Sequence, residues 1–229
     1  MDEARGLVSD ATLWPRVRDF LWDFAPQIHE SWVEGLKVEG PKVEGLEEED
    51  TGRTSTTFDL RPMLDSPRVR RFVLDSLGVE PCFHAFPKDD WSRLALLDGS
   101  TLLEIAKWLG ALACAGELRH VTDGKTVKAL KAALPGVYPE VFGYTEYFRR
   151  MKVEKLKVEK ITPQSILATG VECLFAVVSR LPQPIARRLV LKLPSDLSTC
   201  DLSAFQPFNF STLQLLLKLR FPEAHSLCC

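Results

Sequence analysis

The chain repeats hydrophobic residues at intervals of three and four, the spacing that places side chains on one face of an α-helix. The first stripe predicts a short helix that Pro26 brings to an end. Its apolar members are Leu13, Val17, Phe20, Leu21 and Phe24. A second stripe has its own boundary residues, because Ser66 and Pro67 suit the start of a helix and Gly78 suits its end. Its apolar members are Val69, Phe72, Val73 and Leu77.

The middle of the chain predicts the longest helix. It is expected to begin with a capping box of Thr101 and Glu104, after a turn at residues 98–99. Gly110 and Gly116 would allow a neighbouring helix to approach closely. The predicted buried face consists of Leu102, Ile105, Ala106, Leu109, Leu112 and Ala113.

Further helices follow to the end of the chain. Residues 125–134 form one, and Thr162 as cap with Pro163 in the first turn starts a strong one. The last is expected to run from about Ser211 to a break at residues 221–222. Since no β-hairpin pattern occurs, the sequence predicts an all-α fold, a single irregular multi-helix domain with flexible low-complexity insertions.

Two segments lack an apolar face that could pack. Val-Glu-Gly recurs at Val33, Val38 and Val43 before the acidic residues 47–50, which is typical of a mobile linker. Residues 151–160 alternate Lys and Glu and favour a solvated helical extension. The predicted organisation is therefore an N-terminal helix and entry motif (1–32), a low-complexity acidic linker (33–60) and a main helical domain (61–229) that carries the Lys/Glu-rich extension near 151–160.

Composition excludes several classes of protein. Hydrophobic residues make up 45% of the chain and charged residues 26%, as in globular proteins, and the net charge of -2 offers nucleic acid no attractive field. The N-terminus lacks a basic region followed by an apolar stretch, so no secretory signal is expected. The most apolar segment is interrupted by Lys107 and falls short of the roughly 18 to 20 residues that span a bilayer. The six scattered cysteines are expected to be reduced thiols of a cytoplasmic protein.

No catalytic, cofactor-binding or metal-binding motif is present, and none of these activities is predicted. Cys82 and His84 leave one enzymatic alternative, since a thiolate beside an imidazole is nucleophilic. His225 and the terminal Cys228 and Cys229 lack paired metal-ligand spacing, and they are expected to lie in a frayed tail.

Two places are candidates for binding a partner. Trp32 leads into the exposed linker, unlike the other tryptophans, which lie in helical stripes. Arg187, Arg188 and Lys192 form a basic cluster near prolines. Such a cluster either meets an acidic partner or is a solvated helix face, and the sequence leaves both alternatives open.

Several short motifs, taken in order, resemble the type III secretion sorting-platform accessory proteins known as SctK or YscK. Residues 24–32 resemble the family's Phe-x-Pro, His-x-Ser-Trp entry motif, which includes His29, and residues 188–194 resemble its closing Arg-Leu-x-Leu-Lys-Leu-Pro motif. Between them the similar motifs are residues 82–86, 93–99, 108–111, 118–119, 123–124 and 181–182. The Val-Glu-Gly and Lys-Val-Glu repeats depart from the family pattern without interrupting a motif.

The resemblance implies a non-enzymatic adaptor on the cytoplasmic side of the injectisome, peripheral to the inner membrane. Its implied partners are the cytoplasmic domain of the inner-membrane ring protein and the sorting-platform pod protein, without nucleic acid, membrane insertion or a small-molecule substrate. The residues expected to bind a partner are His29, Trp32, Arg187, Arg188 and Lys192. The alternative is a helical regulatory or chaperone-like binding module outside secretion.

Overall fold

The computed structural model describes residues 13–34, 36, 60–79, 86, 90–149, 161–197 and 210–228. Every regular element in these ranges is helical, which confirms the predicted all-α class. Most of the predicted linker, the Lys/Glu-rich extension at 151–160, and the pair Cys82 and His84 lie outside the described residues. A short helix continues past Trp32 to Glu34.

The α-helices, in chain order, are α1 (Trp14–Trp22), α2 (Glu30–Glu34), α3 (Pro67–Ser76), α4 (Asp90–Arg93), α5 (Gly99–Ala113), α6 (Ala115–Leu118), α7 (Gly124–Ala133), α8 (Val141–Arg149), α9 (Pro163–Val178), α10 (Gln183–Leu191), α11 (Phe210–Arg220) and α12 (Pro222–Cys228). Short 3₁₀ turns add Ala25–Gln27, Arg61–Met63, Leu94–Leu96 and Ser195–Leu197. One hydrophobic core joins the N-terminal helix α1 to the helices of the predicted main domain.

Helices α5 and α9 cross at the centre of this core. A Cβ atom at Gly110 would lie 1.9 Å from the Ile166 carbonyl oxygen, and one at Gly170 would lie 1.8 Å from the Ala106 carbonyl oxygen. The two backbones therefore touch where only glycine leaves room. The close approach predicted at Gly110 is confirmed, whereas Gly116 belongs to the separate helix α6. Among the described helices α9, with 16 residues, is longer than α5, with 15.

The predicted capping box at the start of α5 is wrong. Helix α5 begins two residues earlier, and Asp98 caps it by accepting a hydrogen bond from the Thr101 backbone N–H at 2.7 Å. Thr101 donates its hydroxyl to the same carboxylate at 2.9 Å, so it supports a cap and does not form one. Asp98, three residues before Thr101, is itself a favoured N-cap residue, and its carboxylate accepts from the unpaired N–H groups of the first turn of α5. Asp123 caps α7 in the same way.

Other boundaries follow the prediction more closely. Thr162 and Ser165 form a reciprocal capping box at the start of α9, and Gly78 ends α3 with a φ of 63°. Phe72, a member of the apolar stripe of α3, is 41% exposed, so the core does not cover the whole stripe. The tail is not frayed up to Cys228, since Pro222 starts helix α12 and Cys228 is buried.

Candidate functional site

The entry and closing motifs, far apart in sequence, are in direct contact. The backbone N–H of His29 donates to the Leu191 carbonyl at 2.8 Å, and the indole Nε1 of Trp32 donates to the Leu193 carbonyl at 2.8 Å. The hydroxyl oxygen of Ser31 accepts from the backbone N–H of Ser195 at 2.9 Å. These bonds attach the N-terminal segment to the C-terminal end of α10. The residues predicted separately as an entry motif and a basic cluster therefore form one region, the α10 junction (residues 29–32 and 187–195).

Arg187 is the most exposed of the three cations of the basic cluster, Arg187, Arg188 and Lys192. Its guanidinium donates to the Leu77 carbonyl at the end of α3, with the shorter contact at 3.0 Å. The same group lies 5.7 Å from the centre of the Trp32 ring, within the range of a cation–π interaction. Arg187 and Trp32, both predicted site residues, are thus neighbours on the accessible side of the α10 junction.

Arg188 points the other way, into the core, and is 2% exposed. Its Nη1 donates to the Phe20 carbonyl at 2.7 Å and to the Leu21 carbonyl at 3.2 Å. Both carbonyls belong to the last turn of α1, where helix geometry leaves acceptors open and the dipole favours a cation. The guanidinium also lies 5.5 Å from the ring centre of Phe24. Arg188 therefore acts as a cap for α1.

Lys192 is equally buried, at 2% exposure. Its Nζ donates to the Ala95 carbonyl at 2.7 Å and to the Leu97 carbonyl at 2.9 Å. A Cβ atom at Gly99 would lie 2.5 Å from the Lys192 carbonyl oxygen, so residues 93–99 pack tightly on the end of α10. Lys192 thus joins the motif at 93–99 to the closing motif.

These positions change the expectation for the basic cluster. A solvated cationic face is wrong for Arg188 and Lys192, because both side chains are buried and bind backbone carbonyls. Reversing the charges of Arg188 and Lys192 would therefore test the stability of the fold and not the binding of a partner. Partner binding by the five named residues remains a prediction, and the accessible part of the α10 junction is formed by His29, Trp32 and Arg187.

The buried Lys192 predicts a pH-dependent stability. Burial lowers the pKa of Lys192 from its ordinary 10.5 to about 7. Above this value the unfolded chain still holds the proton that the folded chain has lost, so the free energy of unfolding rises with pH. Relative to Lys192→Met, the wild type should gain up to about 1.4 kcal/mol per pH unit between pH 7 and about 8.5. Urea denaturation of both proteins at several pH values measures this difference, and a constant or falling difference would contradict the prediction.

A groove of about 520 Å³ opens beside Arg187, where the ends of α3 and α9 meet α10. Its lining is mostly apolar and includes Leu77, Phe175, Val178 and Val190. Arg187 is the cationic residue among its lining residues. We call this feature the α10 groove. An apolar groove beside an exposed arginine and a half-buried tryptophan has the composition of a protein-contact surface.

The described cysteines lie in the interior of the protein. Cys114, Cys173 and Cys228 are buried and free of disulfides. Burial raises the pKa of the Cys114 thiol to about 11 and that of Cys173 to about 12, which disfavours the nucleophilic thiolate. The ranges that the structure describes contain no group of three or more side chains able to hold a metal ion. None of the helices described is both long enough and apolar enough to cross a membrane.

The sequence did not reveal the hydrogen-bond acceptors of Arg187 and Lys192. Leu77, Ala95 and Leu97 take part through backbone carbonyls, which no side-chain pattern reveals. Ser31 lies inside the entry motif, where its hydroxyl between His29 and Trp32 was the available clue. Side-chain type therefore predicted the donor residue of each hydrogen bond and not the residue whose carbonyl accepts it.

The fold and the α10 junction together define an all-helical protein whose motifs hold distant segments against one another. Residues 59–220 match the family model of YOP proteins translocation protein K (YscK). The match covers more than two thirds of the chain, so the chain belongs to the YscK family and is a type III secretion protein. The resemblance noted in the motifs is confirmed. Neither a curated protein nor a solved structure matches the sequence.

Proposed function

We propose that this chain is a non-enzymatic adaptor of the type III secretion sorting platform. In this role it lies in the cytoplasm, peripheral to the inner membrane, and links the cytoplasmic domain of the inner-membrane ring protein to the pod protein. The family match over residues 59–220 is the observation that carries the proposal. The α10 groove and its exposed Arg187 support it, because an adaptor needs an accessible surface on a rigid frame.

Co-purification tests the adaptor role. The tagged full-length chain should retain both the isolated cytoplasmic domain of the ring protein and the pod protein, separately and together. Retention of both in a single complex is expected for a link between them. Absence of binding to both proteins would overturn the proposal, and retention of only one would overturn the linking role.

The accessible part of the α10 junction provides a sharper prediction. Arg187→Glu should weaken binding to one partner about tenfold, because it reverses the charge beside the α10 groove. Isothermal titration calorimetry measures the change, and far-ultraviolet circular dichroism should show unchanged helicity. Lys128→Glu is the matched control, since it reverses an exposed charge on α7, which does not line the groove. Equal affinities for the Arg187 variant, the Lys128 variant and the wild type would exclude this surface.

A further inference from the structure

A second cavity, of about 650 Å³, lies on a different part of the molecule from the α10 groove. The start of α1, the segment from α4 to the first turn of α5, and the start of α12 surround it. Three arginines from distant parts of the chain line it: Arg16, Arg93 and Arg220. We call it the arginine cavity.

Arg93 is the unusual member of this group. Its side chain is half-buried, and its Nε is buried without a hydrogen-bond acceptor among the described residues. A buried donor left without an acceptor costs about 1 to 3 kcal/mol. Arg93 belongs to the motif at 93–99, yet no described residue forms an ion pair with its guanidinium. Arg93 lines the cavity, and in the part of the chain described no protein group accepts a hydrogen bond from its Nε.

The other two arginines differ in their engagement. Arg220 is already occupied, since its Nη1 lies 2.9 Å from a carboxylate oxygen of Glu140 and its guanidinium stacks 4.4 Å from the ring centre of Trp108. Arg16 is exposed and has no ion pair or hydrogen bond within the described ranges. Two cations, Arg16 and Arg93, are thus available around one cavity.

Neither carboxylate that lines the cavity is bonded to Arg16 or Arg93 among the described residues. Asp98 uses its two oxygens to accept from Ser100, at 2.6 Å, and from Thr101 in the cap of α5. Glu223 is exposed and lies in the first turn of α12, where the helix dipole favours an anion. Two guanidinium groups therefore have no carboxylate partner among the described residues, in a lining that holds three arginines and two carboxylates.

Besides the hydroxyl-bearing Thr101 and Ser226, the lining includes the apolar residues Leu13, Leu97, Phe221 and Leu227. We propose that the arginine cavity binds an acidic segment of a partner protein, with a carboxylate on Arg93 and Arg16 and a neighbouring apolar side chain on these residues. Guanidinium groups bind carboxylates with paired, charge-assisted hydrogen bonds. The proposal rests on the proposed function, because it assigns one of the adaptor's two contacts to a site separate from the α10 groove.

A peptide probe tests the cavity without any secretion partner. The probe is a synthetic Leu-Glu-Glu-Glu-Asp peptide, and its control is the amide counterpart Leu-Gln-Gln-Gln-Asn. In nitrogen-15 NMR of the full chain, the acidic peptide should shift the Nε–H resonance of Arg93, assigned by its loss in Arg93→Gln. The amide peptide should leave that resonance unchanged. No shift with the acidic peptide, or an equal shift with both peptides, overturns the proposal.

Variants identify the contact residues. Arg93→Gln and Arg16→Glu should each weaken peptide binding about tenfold, the effect of losing one charge-assisted pair. Arg18→Glu is the matched control for Arg16→Glu, since Arg18 is exposed on α1, pairs with Asp19 and does not line the cavity. Equal weakening by the Arg18 variant would show a general field effect and overturn the site.

The chain's own acidic residues 47–50 are a competing occupant. A chain carrying Glu47→Gln, Glu48→Gln, Glu49→Gln and Asp50→Asn should bind the peptide as the wild type does. Binding at least about tenfold tighter would show that this segment fills the cavity, and it would overturn a partner as the occupant.

Co-purification separates failure of the cavity from failure of the adaptor role. If the peptide binds and Arg93→Gln loses one of the two secretion partners, both proposals stand. If the wild type binds both partners and Arg16→Glu with Arg93→Gln changes neither, the cavity proposal is wrong and the adaptor role stands. If the peptide binds at the cavity while the wild type binds neither partner, the cavity still binds acidic segments and the adaptor role is wrong.

Discussion

Gly170→Ala should lower the free energy of unfolding by about 3 kcal/mol or more, the upper range for overpacking a core. The added methyl would lie 1.8 Å from the carbonyl oxygen of Ala106. That atom belongs to the backbone of α5, so no side-chain rotation relieves the contact and the helices must separate. Urea denaturation followed by circular dichroism measures the loss.

Gly143→Ala is the matched control for this prediction. Gly143 also lies within a helix, α8, but a Cβ atom there meets no other atom within 4 Å. Alanine should therefore stabilise the protein by roughly 0.5 to 1 kcal/mol through helix propensity. The same substitution is thus expected to act in opposite directions at two helical glycines. Similar stabilities for the two variants would show that α5 and α9 do not touch at Gly170.

Arg188→Met should destabilise the protein by about 3 kcal/mol, because two buried carbonyl groups lose a charged donor. Phe20 and Leu21 provide these carbonyls in the last turn of α1. Methionine keeps most of the apolar contact with Phe20 and Phe24 and removes the charge and the donors. Hydrogen exchange should show the largest loss of protection in α1, since Arg188 joins that helix to α10.

Arg187→Met, at the adjacent position, is the control for this variant. Its side chain is exposed, and among the described residues the backbone group that it binds is the Leu77 carbonyl. The substitution should therefore cost about 1 kcal/mol or less. Equal losses of stability in the two variants would contradict the assignment of Arg188 as the cap of α1.

Helix positions were largely predictable because their determinants are local. Thr162 and Pro163 are next to each other in sequence and start α9 by bonds within one turn. The start of α5 was misplaced because Asp98 and Thr101 are both good caps, and only the backbone shows which one receives the N–H. The exposure of Phe72 was not predictable, because periodicity shows which residues share a face and does not show how much of that face a neighbour covers.

The residue types of the candidate site were predicted from the sequence, but their spatial arrangement was not. His29, Trp32, Arg187, Arg188 and Lys192 do lie together, but their sequence positions do not reveal the contact between the two motifs. Arginine and lysine are rarely fully buried, so a surface position was the reasonable expectation. The burial of Arg188 and Lys192 depends on carbonyl acceptors at distant helix ends, and those acceptors exist only once the helices have packed.

The amino-acid sequence by itself determined the positions of the helices, the N-terminal caps of α7 and α9 and the glycine that ends α3. It also contained the motifs that resemble the YscK family. These features need only neighbouring residues and the energy of one helical turn. The tertiary structure decided which way Arg187, Arg188 and Lys192 point and that Gly110 contacts Gly170. It also decided that Arg16 and Arg93 line the same cavity. The physical reason is that burial and hydrogen-bond satisfaction depend on atoms far away in sequence, whereas periodicity and capping depend on atoms nearby.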